Sequence, residues 1–474
     1  MGLLLVGALL GFWVSTAYGD ATNLALINLT PYPLRQNGNP SSYQMKKWDD
    51  AFPKEIPKGT NQPAFVQLKT GILTNEGDTA AEFYYTLDDG TKNGIQLALD
   101  MAGKSPNYEV LLRANFDGIK TQNNPSFVDV GFLDDDEEWT PFIIAGNKDS
   151  YVGNNPPTDW MHQNLPFLGC RSLQQLSLPG SHNAGMSKVQ FSTAFSSPSN
   201  TQTQQLDILG QLNAGIRYFD IRPVISHGDY YTGHYSYIKD VDSNQGSVGQ
   251  KMDDIIDNIN KFTDANKELI ILYMSHSSNT DADYDAFNDD EWNGILHDLT
   301  DGLKHRWTVK TDKALTKLSL SDFIKDGPAV VIVVDERDQS FLDKQGFAGK
   351  GFFPASQFPK YDNYANTNEL DVMRDDQYKK FTQQLSKPDN PDQVFLLSWT
   401  MTLLDVDNLN LLDKITTRAD FVNNRLAALT GDKAHLSPFL WDKRLPNIVL
   451  IDNVRKNKYL TALSVAFNRF TSAC

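Results

Sequence analysis

Apolar and polar residues alternate with a period of two through the first third of the chain. The alternation is clearest in five segments, residues 64–72, 81–89, 94–102, 108–116 and 140–146. Because the side chains of a β-strand point alternately to two faces, this period indicates strands with one buried face. Short strands separated by turn residues predict an all-antiparallel β-sandwich domain over residues 20–145.

After Trp160, short apolar runs alternate with segments of helical period. The apolar runs are residues 173–178, 215–221, 268–274, 329–334, 393–399 and 447–451. One helical face would carry Met252, Ile255, Ile256, Ile259 and Phe262, and residues 285–303 are a second helix candidate. Apolar runs alternating with amphipathic helices predict parallel strands. The sequence therefore predicts an α/β fold over residues 161–474, a distorted (β/α) barrel of the TIM type, preceded by the smaller sandwich.

Two further segments complete the predicted organisation. Residues 146–160 are rich in Gly, Asn and Pro, a composition typical of a linker. Residues 1–19 contain an apolar stretch that ends in small residues and is shorter than the roughly 20 residues that span a bilayer. We interpret it as a secretory signal peptide, with an uncleaved anchor as the alternative. The chain is thus expected to be secreted and extracellular, and not an integral membrane protein.

Charge and cysteine content narrow the choice of partners. The formal net charge of −16 argues against nucleic acid, which requires a basic face, and against simple electrostatic docking on anionic lipid. The two cysteines, Cys170 and Cys474, predict one disulfide in an exported chain, with two free thiols as the alternative. Asn28 begins a glycosylation sequon, and Pro31 directly after it leaves the use of that sequon open.

Polar and ionisable residues follow the apolar runs directly. They are Ser181, His182, Asn183, Asp220, Arg222, Ser275, His276, Asp335, Glu336, Arg337, Trp399, Asp452 and Asn453. Ionisable groups are costly to bury without partners. Their collection at the ends of five or six strands therefore predicts a polar pocket at the C-terminal face of the barrel, where barrel enzymes hold their active sites.

Strand alternation places Asp220 and Arg222 on one face, directed into the barrel mouth. A guanidinium suits a phosphate group, and a salt bridge to Asp220 alone is the alternative. His227 and His234 follow soon after, and either could act together with His182. Two imidazoles, an arginine and carboxylates suggest acid–base cleavage of a phosphodiester. No metal or nucleotide motif is present in the sequence, so no cofactor is expected.

Two motifs carry a family resemblance. LPGSHNAGM (residues 178–186) and LNAGIRYFDIRP (residues 212–223) resemble the catalytic X-domain of phosphatidylinositol-specific phospholipases C, nearest the secreted bacterial type. The similarity continues to IVLIDNV (residues 448–454) and covers about Trp160 to Cys474. The family fold is a distorted (β/α) barrel. In that fold, Cys170 and Cys474 would lie at the N-terminal face, and their disulfide would join the first element to the last.

The resemblance implies a catalytic set. His182 resembles the general base that acts on the inositol 2-hydroxyl, and Asp452 resembles the carboxylate that orients it. Asp220 and Arg222 match the family's strand-end pair, with Arg222 on the phosphate. His234 matches the general acid better than His227 does.

The resemblance also implies substrate-binding residues. Asp362 and Tyr364 in YDNYA resemble the family's inositol-binding Asp-x-Tyr, and Arg337 corresponds loosely to an inositol-binding arginine. His276 and Trp399 are assigned to the pocket lining from their positions after strands. For His276, a structural strand cap is the alternative.

Asn183 departs from the bacterial pattern. The bacterial enzymes have Asp at this position, whereas the calcium-dependent animal enzymes have Asn as a metal ligand. Those animal enzymes have an acidic residue where this chain has Arg222, and a guanidinium there would occupy the place of the cation. We therefore expect a metal-independent enzyme and keep Ca2+ as the alternative. Asn183 brings no negative charge to the general acid.

Together these observations predict an exported, monomeric phosphodiesterase that acts at a membrane surface. It would cleave phosphatidylinositol or glycosyl-phosphatidylinositol (GPI) to diacylglycerol and inositol 1,2-cyclic phosphate. The β domain would be an accessory module for surfaces or glycans. Two alternatives stay open: a metal-dependent glycerophosphodiesterase or sphingomyelinase-D-like enzyme, and a non-catalytic inositol-lipid-binding protein, which Asn183 favours.

Overall fold

A computed structural model describes most of the chain. The described residues are 20–71, 74–104, 107–123, 127–132, 139–402, 414–428, 446–455 and 458–470. The predicted signal peptide and Cys474 lie outside these ranges, so the signal peptide and the disulfide stay predictions.

Twelve strands form the N-terminal part of the described chain. They are β1 (Ala21–Leu29), β2 (Leu34–Gln36), β3 (Ser41–Tyr43), β4 (Met45–Lys47), β5 (Glu55–Ile56), β6 (Thr60–Leu68), β7 (Ala80–Leu87), β8 (Gly94–Lys104), β9 (Asn107–Asp117), β10 (Phe127–Asp129), β11 (Trp139–Asn147) and β12 (Ser150–Gly153). They form two sheets, ordered β12-β11-β1-β6-β4 and β10-β9-β8-β7-β2-β5, with β3 on β7. Both sheets contribute to one buried apolar cluster, which includes Leu26, Phe83, Leu97 and Ile144.

The predicted all-antiparallel order is wrong at one pair. β1 pairs in parallel with β11, from Asn23 opposite Trp139 to Leu29 opposite Ala145. β1 is buried on both faces along almost its whole length, which is the usual setting of parallel strands. The reason is that a second layer covers this sheet. Ile144 belongs to the cluster between the two sheets, whereas Ile143 belongs to the core of the following barrel.

The remaining strands alternate with helices. The strands are β13 (Leu178–Ser181), β14 (Phe191–Ser192), β15 (Tyr218–Ile221), β16 (Pro223–Ser226), β17 (Asp229–Ile238), β18 (Ser243–Lys251), β19 (Leu269–Met274), β20 (Ser278–Asn279), β21 (Ala329–Val334), β22 (Phe352–Pro354), β23 (Lys360–Tyr361), β24 (Val394–Trp399) and β25 (Ile448–Ile451). The helices are α1 (Trp160–Gln163), α2 (Leu165–Leu168), α3 (Pro198–Thr201), α4 (Ile208–Asn213), α5 (Met252–Thr263), α6 (Asp289–Gly302), α7 (Leu320–Ile324), α8 (Gln339–Lys344), α9 (Leu370–Ser386), α10 (Ile415–Ala428) and α11 (Tyr459–Phe470). None of the helices in the described ranges is long and apolar enough to cross a membrane.

Eight of these strands form one parallel sheet in the order β22-β21-β19-β15-β13-β25-β24-β23. This confirms the predicted mixed α/β architecture with parallel strands. Within the described residues no strand pairing joins β22 to β23, so the barrel is open there. The predicted helix face is confirmed, because Met252, Ile255, Ile256, Ile259 and Phe262 of α5 are all buried.

A second, smaller sheet lies beside the barrel, in the order β14-β18-β17-β16-β20. Its strands β16–β18 fill the segment between two barrel strands, β15 and β19, where the sequence pattern predicted only a helix. The residues predicted as a linker also contain regular structure, because β12 pairs with β11.

The first prediction concerns Asn28, whose side chain is fully buried in the N-terminal domain. Its amide nitrogen donates to the carbonyls of Tyr32, Ile56 and Pro57 at 2.9, 3.0 and 3.3 Å. Asn28→Ala leaves these acceptors without a donor, so we expect it to lower the free energy of unfolding by about 2–3 kcal/mol, measured by urea denaturation. Asn37→Ala at an exposed site should change it by less than about 0.5 kcal/mol.

Two results would contradict this role of Asn28. One is equal stability of the two alanine variants. The other is a glycan on Asn28 in folded, secreted protein, because the folded chain buries the nitrogen that a glycan would modify.

Candidate functional site

Strand register brings the candidate residues to one level of the barrel. β13 lies between β15 and β25, with Ser181 opposite both Phe219 and Ile451. The next residues of all three strands therefore emerge together at their carboxyl ends. Residues that are far apart in sequence, His182, Asp220 and Asp452, become neighbours for this reason.

His182 lies between a carboxylate and a guanidinium. Its Nδ1 lies 2.7 Å from Asp452 Oδ1, and its Nε2 lies 2.8 Å from a terminal nitrogen of Arg222. A carboxylate accepts and a guanidinium only donates, so Nδ1 carries the proton and Nε2 presents a lone pair. His182 is thus a neutral imidazole with its basic nitrogen toward the barrel mouth, which is the form a general base requires.

Asp220 is the anchor of Arg222. Its Oδ2 accepts from Arg222 Nε at 3.1 Å and from the main-chain N–H of Asn183 at 3.0 Å. Burial opposes its ionisation, but the charge of Arg222 and the Asn183 N–H outweigh burial and hold the pKa of Asp220 well below its usual value. Asp220 is therefore an anion that fixes the guanidinium.

His234 completes the group from a different sheet. It lies on β17, where its Nδ1 donates to the carbonyl of Thr201 at 3.2 Å. The other ring nitrogen, Nε2, is therefore the one left for proton transfer. Desolvation and the charge of Arg222 lower its pKa to about 3. The main-chain N–H of the preceding residue, Gly233, donates to the Arg222 carbonyl at 3.0 Å, so this part of β17 lies beside Arg222. His227, by contrast, is exposed and stacks on Phe191 at a centroid distance of 4.6 Å.

Asn183 does not support either histidine through its side chain. The residue is fully buried with φ of 42°, and within the described residues its amide atoms have no hydrogen-bond partner. Only its main chain takes part, through the N–H on Asp220. His234 is therefore oriented by the Thr201 carbonyl rather than by residue 183.

The proposed inositol-binding residues divide into two groups. The Asp362 carboxylate forms an ion pair with Lys360 and raises the pKa of two barrel tyrosines, Tyr218 and Tyr273, after the larger effect of burial. Desolvation and the Arg222 charge lower the pKa of His276 as well. Tyr364 is 55% exposed.

Arg337 and Trp399 donate to main-chain carbonyls elsewhere in the fold. Arg337 donates to the Phe287 carbonyl at 2.6 Å and pairs with Asp289 at 3.1 Å. Trp399 is 2% exposed and donates from Nε1 to the Val422 carbonyl at 2.9 Å. Both side chains thus join elements of the fold.

Sequence reasoning missed a buried segment that holds the site together. Gln204 Nε2 donates to the carbonyls of His182 and Ile451 at 2.8 and 3.2 Å, and its Oε1 accepts from the Val454 N–H at 2.9 Å. Thr203 Oγ1 donates to the Asn183 carbonyl at 3.0 Å. This segment therefore ties the turn of the first barrel strand to the end of the last. Its polar run carries no recognisable motif, so no sequence signal marked it.

Lys360 was also missed. Its ammonium lies 4.3 Å from the centroid of the Tyr273 ring and is 13% exposed, inside the barrel. The strand that carries it, β23, is two residues long, too short for an apolar pattern to reveal.

In chemical terms, the site offers a base and a cation in contact, with a second imidazole on β17, the strand beside Arg222. In the described part of the chain no group of three or more His, Cys, Asp or Glu side chains is arranged to hold a metal ion. The guanidinium of Arg222 lies between Asp220 and His182, where an anionic group could replace its bond to His182 Nε2. The arrangement suits proton transfer at an anionic ester.

Comparison with known proteins finds structural neighbours at low sequence identity. No family model matches the sequence, and no curated protein matches it significantly. Among solved structures, a variant of phosphatidylinositol-specific phospholipase C from Staphylococcus aureus is 15% identical, with a TM-score of 0.44 over 63% of this chain and 90% of that one. The Listeria monocytogenes phospholipase is 17% identical, with a TM-score of 0.42 over 66% and 98%.

The second prediction concerns the Asp220–Arg222 pair. Asp220→Asn leaves a partly buried guanidinium without its anion, so we expect a loss of about 2–4 kcal/mol at pH 7 by urea denaturation. Because the folded pKa of Asp220 is depressed, its contribution is present above the unfolded value of about 3.9 and declines as pH falls below it. The difference in free energy of unfolding between wild type and variant should therefore be smaller at pH 3 than at pH 7.

Asp229→Asn is the control, since Asp229 is largely exposed and pairs with Lys251 at the surface. It should change stability by less than about 0.5 kcal/mol at pH 7. A gap for Asp220→Asn that is the same at both pH values would refute the assignment of a depressed pKa.

Proposed function

We propose that this chain is a phosphodiesterase that cleaves phosphatidylinositol or a GPI lipid to diacylglycerol and inositol 1,2-cyclic phosphate. The observation that carries the proposal is His182, bonded on one side to Asp452 and on the other to Arg222, with the charge of Arg222 also acting on His234. The motif resemblance at residues 178–186 and 212–223 supports the lipid class.

In the first step the substrate phosphate replaces His182 as a hydrogen-bond partner of the Arg222 guanidinium. A phosphoryl oxygen accepts from Arg222, and this frees Nε2 of His182. That nitrogen then removes the proton of the inositol 2-hydroxyl, whose oxygen attacks phosphorus within the same molecule. Asp452 stabilises the imidazolium that forms, and Arg222 offsets the charge that develops on the phosphoryl oxygens.

In the second step the glycerol oxygen leaves and takes a proton from His234. The Thr201 carbonyl holds Nδ1, so Nε2 is the donor once it is protonated. In the empty site its pKa of about 3 keeps it neutral at physiological pH. Binding of the anionic substrate would offset the charge of Arg222 and allow His234 to take up the proton that it later donates.

We further propose that the reaction needs no metal and that the protein acts outside the cell. Arg222 supplies the positive charge that a cation would bring, and its bond to Asp220 occupies the acidic group beside the base. Export follows from the interpretation of residues 1–19 as a signal peptide.

The third prediction tests the reaction. Purified protein with phosphatidylinositol vesicles in EDTA should give a cyclic phosphodiester signal by phosphorus NMR. His182→Ala removes the base, and we expect a rate at least about a hundredfold lower. His227→Ala removes an exposed histidine of the same motif region and should keep the wild-type rate.

The alternatives give different results in this assay. Activity that is lost in EDTA and restored by a divalent cation would indicate a metal-dependent phosphodiesterase. Vesicle binding without any product, unchanged in His182→Ala, would indicate a lipid-binding protein. An equal loss of rate in His182→Ala and His227→Ala would count against the assigned base.

The fourth prediction concerns the protonation of His234. Titration of its ring by nitrogen-15 NMR should give a pKa near 3 in the empty protein, against an ordinary value of 6.5. Saturating inorganic phosphate should raise it by at least about one unit, equivalent to about 1.4 kcal/mol of favourable interaction. Arg222→Gln should raise the pKa without phosphate and reduce the phosphate effect. A His234 pKa that phosphate leaves unchanged would exclude the substrate-assisted step.

A further inference from the structure

Strand β11 of the N-terminal domain has two buried faces with different partners. Ile144 points into the cluster between the two N-terminal sheets, and Ile143 points into the barrel core. Both side chains are 0% exposed. β11 is therefore an internal layer shared by the two parts of the chain.

The barrel side of β11 contacts the two helices next to the last barrel strand. α10 precedes β25, α11 follows it, and both pack against β11. Ile143 lines the same cavity as Asn423 and Leu426 of α10. On the α11 side, the Tyr459 hydroxyl donates to the Val130 carbonyl at 2.6 Å, and Arg469 donates to the Ser150 carbonyl at 2.9 Å.

Helix α10 in turn fixes the main chain at the end of β25. Asn423 Nδ2 donates to the carbonyl of Asp452 at 2.7 Å. Asn453 Nδ2 donates to the Thr416 carbonyl at 3.0 Å and to Asp420 Oδ1 at 2.8 Å. Asn453 is fully buried with φ of 50°, a conformation that a non-glycine residue keeps only when its surroundings hold it. The position of the Asp452 carboxylate thus depends on α10.

We infer that β11 is a positioning element of the catalytic site, which acts through α10 on Asp452 and so on the alignment of His182. The inference rests on the proposed pairing of Asp452 with the general base. It changes the role of the N-terminal domain: its inner sheet is needed for turnover as well as for stability. Asn423 is the positioning residue that links the two.

The fifth prediction compares two adjacent residues of one strand. Ile143→Ala and Ile144→Ala remove the same atoms from equally buried sites on opposite faces of β11. Both should lose stability to a similar extent. Only Ile143→Ala should lower kcat for phosphatidylinositol cleavage, by about tenfold or more, with KM within about twofold, because it disturbs alignment and not binding.

A second readout does not depend on activity. The proton that His182 Nδ1 donates to Asp452 should give a far-downfield proton NMR signal in wild type and in Ile144→Ala. It should broaden or shift in Ile143→Ala and in Asn423→Ala. If wild type cleaves no lipid, the proposed function fails, but this signal still decides whether β11 positions the pair.

Measurements are made at a temperature where circular dichroism shows both variants folded. If either alanine variant fails to fold, Ile143→Val and Ile144→Val replace the pair, with a smaller difference in the same direction. Equal changes of kcat and of the histidine signal in both members of a pair would overturn the inference. So would an unchanged signal in folded Ile143→Ala and Asn423→Ala.

Discussion

The hydrogen bond between His182 and Asp452 joins residues 270 positions apart in sequence, and the rest of the site depends on it. It forms because β13 pairs in parallel with β25 in one register, Ser181 opposite Ile451. A slip of one residue would turn Asp452 to the other face of its strand and leave His182 without a partner. Gln204 stabilises this register, because its amide nitrogen donates to the carbonyls of both His182 and Ile451.

One cation, Arg222, acts on three groups around this bond. Arg222 keeps Asp220 ionised, occupies the lone pair of His182 and opposes a proton on His234. Without a bound anion, His182 is therefore ready to act as a base, whereas His234 is not ready to act as an acid. An anionic ligand that binds the guanidinium would free the lone pair of His182 and would also favour a proton on His234. Ligand binding would thus prepare the base and the acid together. The missing charge at Asn183 matters less in such a site, because the ligand brings its own.

Much of the barrel could be predicted from the sequence, because parallel strands buried on both faces appear as continuous apolar runs. β21 coincides with the run at residues 329–334, and α5 buries the predicted face. The small sheet that carries His234 could not be predicted in this way. Strand β17, which carries His234, is rich in Tyr and mostly not buried, and β18 consists largely of Gly, Ser, Asn and Gln, so neither strand shows an apolar period.

Residues of the candidate site could be predicted where a reactive side chain directly follows a strand. They could not be predicted where they hold other residues in place by hydrogen bonds to the main chain. His182, Asp220, Arg222 and Asp452 follow apolar runs directly, and the structure brings them together. Trp399 follows a strand in the same way, yet its indole is buried against α10. Position after a strand fixes the level of a residue but not its rotamer. Gln204 makes its bonds to main-chain atoms, which any sequence supplies, so no motif could reveal it.

The change of pattern near residue 150 marks a change of secondary structure and not a boundary of packing. Residues Ala25, Ile27 and Leu29 of β1 lie in the same apolar cluster as the barrel strands. Removal of the N-terminal sheet would expose this surface together with the flanks of α10 and α11, a patch of the kind that drives aggregation. A sheet that must stay in place to cover the barrel is also one on which the barrel can rely for alignment. Stability and positioning at Asp452 are thus two consequences of one shared core.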